Sequence, residues 1–209
     1  MKAEIFLATG DLQAMEPLLA NPRLDPTLQA VYALFQRRYA AAIVILSKAL
    51  ATETDRNARN TEKLLLGLSQ QRAGDIAAAR ATYRDAAQDF DSQLKKMPPD
   101  SFSASRTHAF LGQAYAGLGE ATSAIAEGQK AMAIEPTSKD PVDGPVREEK
   151  MADIYALLGD ADHAVPILKR LLQMPYGGAI TPALLRLDPL WDQIRNDPRF
   201  QELATEKKS

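Results

Sequence analysis

A recurring pattern of small residues and tight turns limits the fold of this 209-residue chain more than any other sequence feature. The clearest copy runs from Ser105 to Pro136, and its landmarks are Leu111, Gly112, Tyr115, the turn Gly119-Glu120, Ala124 and Ala131. Glycine readily adopts the left-handed conformation that ends a helix, and small residues let two helices approach closely. This copy therefore predicts two antiparallel helices joined by a tight turn.

Three further segments align on this copy, and the one near Arg23 is more degenerate than the others. They begin near Arg23, Asn60 and Pro145, so successive copies start 37, 45 and 40 residues apart. Their turns are Arg38-Tyr39, Gly74-Asp75 and Gly159-Asp160, and Gly10-Asp11 marks one more turn, followed by a short helix through Leu18-Leu19. In the Gly-Asp turns, the aspartate can cap the next helix by accepting a hydrogen bond from a free backbone N–H.

The spacing of apolar residues also indicates helices. After Ile76 they recur every three or four positions, at Ala79, Tyr83, Ala86, Phe90, Leu94 and Met97. This spacing places them on one face of a helix, which we expect to continue as far as Pro98-Pro99. No segment alternates apolar and polar residues as a half-buried strand would, so the sequence predicts an all-α fold.

The segment from Ser105 to Pro136 resembles a tetratricopeptide repeat. That family shows Trp, Leu-Gly, Tyr, Ala, Phe and Pro in order over about 34 residues. Here His108 stands in place of the Trp and Gly128 in place of the Phe. The resemblance implies a right-handed, tetratricopeptide-type α-solenoid, with about four and a half helical hairpins in residues 1–178.

The C-terminal residues, 179–209, are predicted to form a short helical lid packed on the last repeat. Three helix starts place a capping residue before a proline: Thr181-Pro182, Asp188-Pro189 and Asp197-Pro198. A terminal repeat needs such a lid because its apolar face has no neighbour. Trp191 is expected in the core of the lid, and Gly177-Gly178 is interpreted as a hinge rather than an anion site.

The tail is similar to the one that closes many bacterial multidomain proteins with tetratricopeptide regions. Its residues are Leu184 to Trp191 and Asn196 to Phe200. Those relatives include Ser/Thr kinase, adenylate cyclase and winged-helix regulator fusions, which implies a regulatory region of a larger protein. The short helix before Gly10-Asp11 leaves two interpretations open: a chain that is part of a larger protein, or a naturally short capping helix.

Composition excludes several classes of function. The chain has 25 basic and 27 acidic residues, a net charge of −2 and no cysteine. We therefore expect no basic stripe for nucleic acid, no disulfide and no thiolate metal site. Apolar runs are too short for membrane insertion. We expect a soluble protein, in the cytoplasm rather than the periplasm, although the sequence leaves the compartment open.

A search for catalytic motifs is negative. The sequence contains neither a phosphate-binding glycine loop nor a paired-histidine zinc motif nor a Gly-x-Ser-x-Gly elbow. His108 is interpreted as a packed residue in place of the family's large aromatic. His163, beside Asp160 and Asp162, is interpreted as part of a solvated helix start. The sequence thus predicts no enzyme, no metal and no cofactor.

In the tetratricopeptide architecture, the first helix of each hairpin lines a concave groove. The candidate partner-binding residues are Leu24, Leu28, Val31, Phe35, Leu65, Leu68, Arg72, Arg106, Phe110, Gln113, Lys150 and Asp153. This groove is apolar toward the N-terminus and mixed polar toward the other end. Such a surface suits an amphipathic helix or an extended segment with one apolar half. If a missing N-terminal helix packed on that part, Leu24, Leu28 and Phe35 would be core residues instead.

Three functional hypotheses follow. The first is a protein–protein interaction module that binds a peptide or protein segment through the concave face. The second is a structural module that self-associates through its terminal repeats, for example as a homodimer. The third is a small-molecule sensor, which would require a ligand site within the groove.

Overall fold

The computed structural model describes residues 2–21, 23–178 and 180–205, which contain helices and no strand. Met1, Pro22, Ala179 and residues 206–209 lie outside the described part, so the predicted lid is seen from residue 180 to residue 205. The α-helices are α1 (Lys2–Thr9), α2 (Leu12–Met15), α3 (Pro26–Phe35), α4 (Tyr39–Thr52), α5 (Arg56–Arg72), α6 (Ile76–Leu94), α7 (Phe102–Leu118), α8 (Ala121–Ile134), α9 (Gly144–Leu157), α10 (Ala161–Leu171), α11 (Pro182–Leu187) and α12 (Pro198–Ala204). Two 3₁₀ helices cover Glu16–Ala20 and Pro189–Gln193.

The helices pair into consecutive hairpins. Helices α3 and α4, α5 and α6, α7 and α8, and α9 and α10 pack against each other, and each hairpin packs against the next. The short helices α1 and α2 form a partial hairpin before them. The predicted all-α solenoid of helical hairpins is confirmed.

The turns between paired helices follow the predicted chemistry. Gly10, Gly74, Gly119 and Gly159 adopt left-handed φ angles of 75° to 86°. In the Arg23 copy the left-handed position is held by Arg37, with a φ of 60°. A side chain is strained in that region, so this copy keeps the hairpin without a glycine at some cost in stability.

Helix α6 is shorter than the sequence predicted. It ends at Leu94, and Lys95 to Met97 form turns before Pro98-Pro99. A residue that precedes proline is disfavoured in the α conformation, so the helix stops before the prolines rather than at them. The apolar face of Ala79, Tyr83, Ala86 and Phe90 is buried as expected.

The segment after residue 180 contacts both ends of the stack. Trp191 and Phe200 are buried with Leu168 of α10, which covers the last hairpin. Toward the other end, the Thr181 hydroxyl donates a hydrogen bond of 2.6 Å to the carbonyl oxygen of Ala8 in α1. The C-terminal segment therefore spans the concave side of the stack as well as covering its last repeat.

Candidate functional site

A cavity of about 450 Å³ lies between the concave face of the stack and the C-terminal segment. One wall consists of residues from the first helices of three hairpins, α5, α7 and α9. The opposite wall is formed by Ile180, Leu184, Asp188, Leu190 and Trp191 of the C-terminal segment. We refer to this space as the central cavity.

The structure brings seven of the twelve predicted groove residues together around the central cavity. They are Leu65, Leu68, Arg106, Phe110, Gln113, Lys150 and Asp153. These residues come from three successive hairpins, so the repeat geometry is what places them side by side. Partner binding by these residues stays a prediction.

Four other predicted groove residues lie in an apolar cluster instead. Leu24, Leu28 and Val31 are half-buried, and Phe35 is buried, against residues of α1 and α11. The packing side chains of α11 are Leu184 and Leu187. These four residues therefore pack with helices α1 and α11 of the same chain rather than around the central cavity.

The twelfth predicted residue, Arg72, fixes the position of the C-terminal segment. Its Nε donates a hydrogen bond of 3.0 Å to the carbonyl oxygen of Pro189 and lies 3.9 Å from Asp192 Oδ2. Arg37 also pairs with Asp192, at 2.9 Å. Sequence reasoning missed these contacts because they join residues more than one hundred positions apart, where no periodicity connects them.

One wall of the central cavity carries a hydrogen-bonded charge cluster. The Asp153 carboxylate accepts hydrogen bonds from Gln113 Nε2 at 2.7 Å and from Lys150 Nζ at 2.8 Å. Lys150 also lies 3.5 Å from Glu149, which accepts a 2.6 Å hydrogen bond from the Tyr176 hydroxyl. Burial raises the pKa of Asp153 to about 6, although Lys150 favours the carboxylate form. This cluster satisfies its own charges within the protein.

A second part of the cavity wall is basic. Of its two arginines, only Arg106 was among the predicted groove residues. Arg147 of α9 lines the cavity beside Arg106 of α7 and is only 4% exposed. Its Nε donates a 2.9 Å hydrogen bond to Ser105 Oγ, and its Nη2 is buried without a partner. Arg147 lies three positions before Lys150 on the same helix, so helical spacing from that predicted residue could have indicated it.

The two histidines pair with carboxylates away from the cavity. His108 Nδ1 lies 2.5 Å from Glu127 Oε2 of the paired helix α8, and His163 Nδ1 lies 2.7 Å from Asp160 Oδ2 in its own turn. The described residues contain no group of three or more potential metal ligands of the His, Cys, Asp or Glu type. Within the same residues, no helix has the length and apolarity required to cross a membrane.

Comparison with known families identifies one repeat directly. A model of the tetratricopeptide repeat family matches residues 63–85, which include parts of α5 and α6 and the turn between them. A search among curated proteins finds no match for the chain. The family match and the stack of helical hairpins together support a repeat protein of the tetratricopeptide type. Tetratricopeptide repeats generally mediate protein–protein interactions, and such modules are typically not enzymes.

Proposed function

We propose that this protein binds a segment of a partner protein at the central cavity. The observation that carries the proposal is the cavity itself, where three hairpins present an apolar surface next to charged groups. Leu65, Leu68 and Phe110 provide the apolar surface, and Lys150 and Asp153 lie on the polar side. Protein–protein contacts are usually centred on a partner side chain that is buried in such a pocket.

The size of the cavity restricts the form of the partner. A volume of about 450 Å³ holds a few side chains, whereas a helix about 10 Å across would need an open groove. Leu184 and Trp191 of the C-terminal segment occupy the space opposite the concave face. The proposed partner segment therefore inserts one or two apolar side chains into the cavity, while its backbone lies along the rim.

The proposal extends to a regulatory role. The tail from Leu184 to Phe200 resembles the tails of bacterial signalling proteins with tetratricopeptide regions. In that setting this region would sense a partner and a separate domain would act on the signal. The region itself has a recognition role and no catalytic one.

The homodimer alternative was based on an exposed apolar surface on the N-terminal repeats. Leu24, Leu28 and Phe35 contact α1 and α11 of the same chain, so they do not form an open apolar face for a second copy. Partner binding at the central cavity requires no such face and is the function we propose.

Selection from a displayed library of random peptides, followed by calorimetry on the full chain, tests the proposal. Thr61 lines the cavity and its hydroxyl bonds only within its own helix, so Thr61→Trp fills space with little loss of packing. The matched control is Thr122→Trp, at an exposed position on α8. We expect selected peptides to share an apolar residue and to lose about tenfold or more affinity for Thr61→Trp only.

Two outcomes would contradict the proposal. One is a failure to select any peptide that binds the folded chain with saturable affinity. The other is a set of peptides whose affinity is the same for Thr61→Trp and Thr122→Trp, because binding would then occur elsewhere.

A further inference from the structure

We propose that the central cavity also binds a small amphiphilic anion, a single carboxylate head on an apolar tail. The head would lie at Arg106 and Arg147, and the tail would follow the apolar wall toward Trp191. This inference concerns a free small molecule, so it goes beyond the binding of a protein segment.

Arg147 is incompletely paired in the cavity wall. Its guanidinium group is buried above the ring of Phe102, with Cζ 4.9 Å from the ring centroid. Among the described residues it makes one hydrogen bond, to Ser105, and has no carboxylate within ion-pair distance. Burial lowers the pKa of Arg147, and three carboxylates beyond ion-pair distance oppose that effect: Asp143, which also lines the cavity, Glu135 and Asp140. A buried charge without a close partner is costly, and a ligand carboxylate would offset that cost.

Arg106 is a second positive charge beside Arg147 in the cavity wall. This side chain is half-buried, with its Cζ 5.5 Å from the centroid of the Phe110 ring, and it too lacks an ion pair among the described residues. The positive charge of Arg106 acts on Arg147 and disfavours its charged form. An anion between the two guanidinium groups would offset this repulsion with two attractions, and a planar carboxylate matches the fork of donors on each.

The rest of the cavity suits a small molecule with an apolar tail. Its volume of about 450 Å³ lies within the range of small-molecule sites, roughly 300–1,000 Å³. Leu64, Leu65 and Phe110 supply an apolar wall beyond the arginines. The charge cluster farther along contains Glu149 and Asp153, which would repel a second negative group. The cavity therefore favours one anionic head followed by an apolar tail over a dicarboxylate.

The test uses the emission of Trp191, the only tryptophan in the chain and part of the cavity wall. Sodium octanoate is titrated into the full chain below its micelle concentration, and calorimetry provides a second readout. Three probes have the same tail and a different head: 1-octanol is neutral, octylammonium is cationic and octyl phosphate is the other anion. We expect saturable binding of octanoate, at least about tenfold tighter than octanol or octylammonium.

Variants then assign the head site. Arg106→Met should weaken octanoate binding about tenfold or more and leave octanol binding unchanged. Arg84→Met, at an exposed position on α6, is the matched control. Arg147→Met should act in the same direction as Arg106→Met. Because Arg147 is buried, the thermal unfolding of the Arg147→Met variant is measured too. If that variant does not fold, Arg106→Met still tests the head site.

The binding results for the four probes distinguish an anion site from a purely apolar one. Tighter binding of octyl phosphate with the same dependence on Arg106 would support an anion site and identify phosphate as the preferred head. Equal binding of octanoate and octanol, or no saturable binding of any probe, would overturn the inference. Peptide binding that is lost in Thr61→Trp would stand in either case, so the two proposals can fail independently.

Discussion

The ring of Tyr83 provides a sharp test of how closely the hairpins pack. Tyr83 in α6 is 1% exposed and lies between two glycines, Gly67 of α5 and Gly117 of α7. A Cβ atom at Gly117 would lie 2.5 Å from Cζ and 2.6 Å from Cδ2 of the ring. On the other side, a Cβ atom at Gly67 would lie 2.7–2.9 Å from ring atoms. The ring therefore has no free space on either side, and Gly117→Ala forces an overlap.

Two effects set the size of the change. Overpacking a core costs about 1–3 kcal/mol, and a ring held on both faces belongs in the upper part of that range. Replacing glycine with alanine inside a helix gains about 1 kcal/mol. We expect Gly117→Ala to lower the free energy of unfolding by roughly 1–2 kcal/mol. For a chain of this size, that corresponds to a fall in Tm of roughly 2–8 °C.

The effect of Gly117→Ala on the free energy of unfolding should change sign when the Tyr83 ring is removed. In a Tyr83→Leu background, Gly117→Ala meets a smaller side chain, so the gain in helix propensity should dominate. The assay is urea unfolding followed by circular dichroism for wild type, both single variants and the double variant, which forms a double-mutant cycle. If Gly117→Ala stabilises the wild-type protein, or has the same effect in both backgrounds, the packing argument is wrong.

Two further predictions concern the lid and the charge cluster. Phe200→Ala removes a fully buried ring whose centroid lies 6.0 Å from that of Trp191. This variant should lower the free energy of unfolding by about 3–5 kcal/mol and shift the emission of Trp191 to the red. The control Val44→Ala, at an exposed position, should do neither. Burial raises the pKa of Asp153 to about 6, so the folded chain holds this proton at a higher pH than the unfolded chain does. The contribution of Asp153 to the free energy of unfolding should therefore fall as pH rises from about 4 to about 6. Urea unfolding across that range should show a weaker pH dependence for Asp153→Asn, and an unchanged profile would refute the assignment.

Much of the fold could be predicted because its signals are local. The left-handed turn at Gly74 and the cap at Asp75 lie next to each other in the sequence, and both formed as expected. Periodicity identified the buried face of α6, while the end of that helix depended on the effect of Pro98 on its neighbour. The copy with Arg37 at its turn was still detected, because the spacing of its alanines does not depend on the turn residue.

The route of the C-terminal segment could not be predicted in the same way. Its contact with α1 depends on one side-chain hydrogen bond from Thr181 and on apolar contacts of Leu184 and Leu187. The same residue types would suit a lid on the last repeat equally well, so the sequence does not distinguish the two positions. The role of Arg147 was missed for a related reason. Helical spacing from Lys150 places Arg147 on the same face of α9, but its burial depends on Phe102 and Ser105 of a different helix, which only the packing of α7 against α9 determines.

The same physics explains why the concave side is filled at one end and open at the other. Near the N-terminus the first helices present Leu28 and Phe35, so the apolar residues of α11 can pack there without burying any charge. Farther along they present Arg147, Lys150 and Asp153. Arg147 and Asp153 are already buried and Lys150 is half-buried, and packing more leucine or tryptophan against them would give them no new partners. The C-terminal segment therefore leaves a cavity where the concave face is charged, and a ligand that supplies both an apolar part and an anionic group can occupy it.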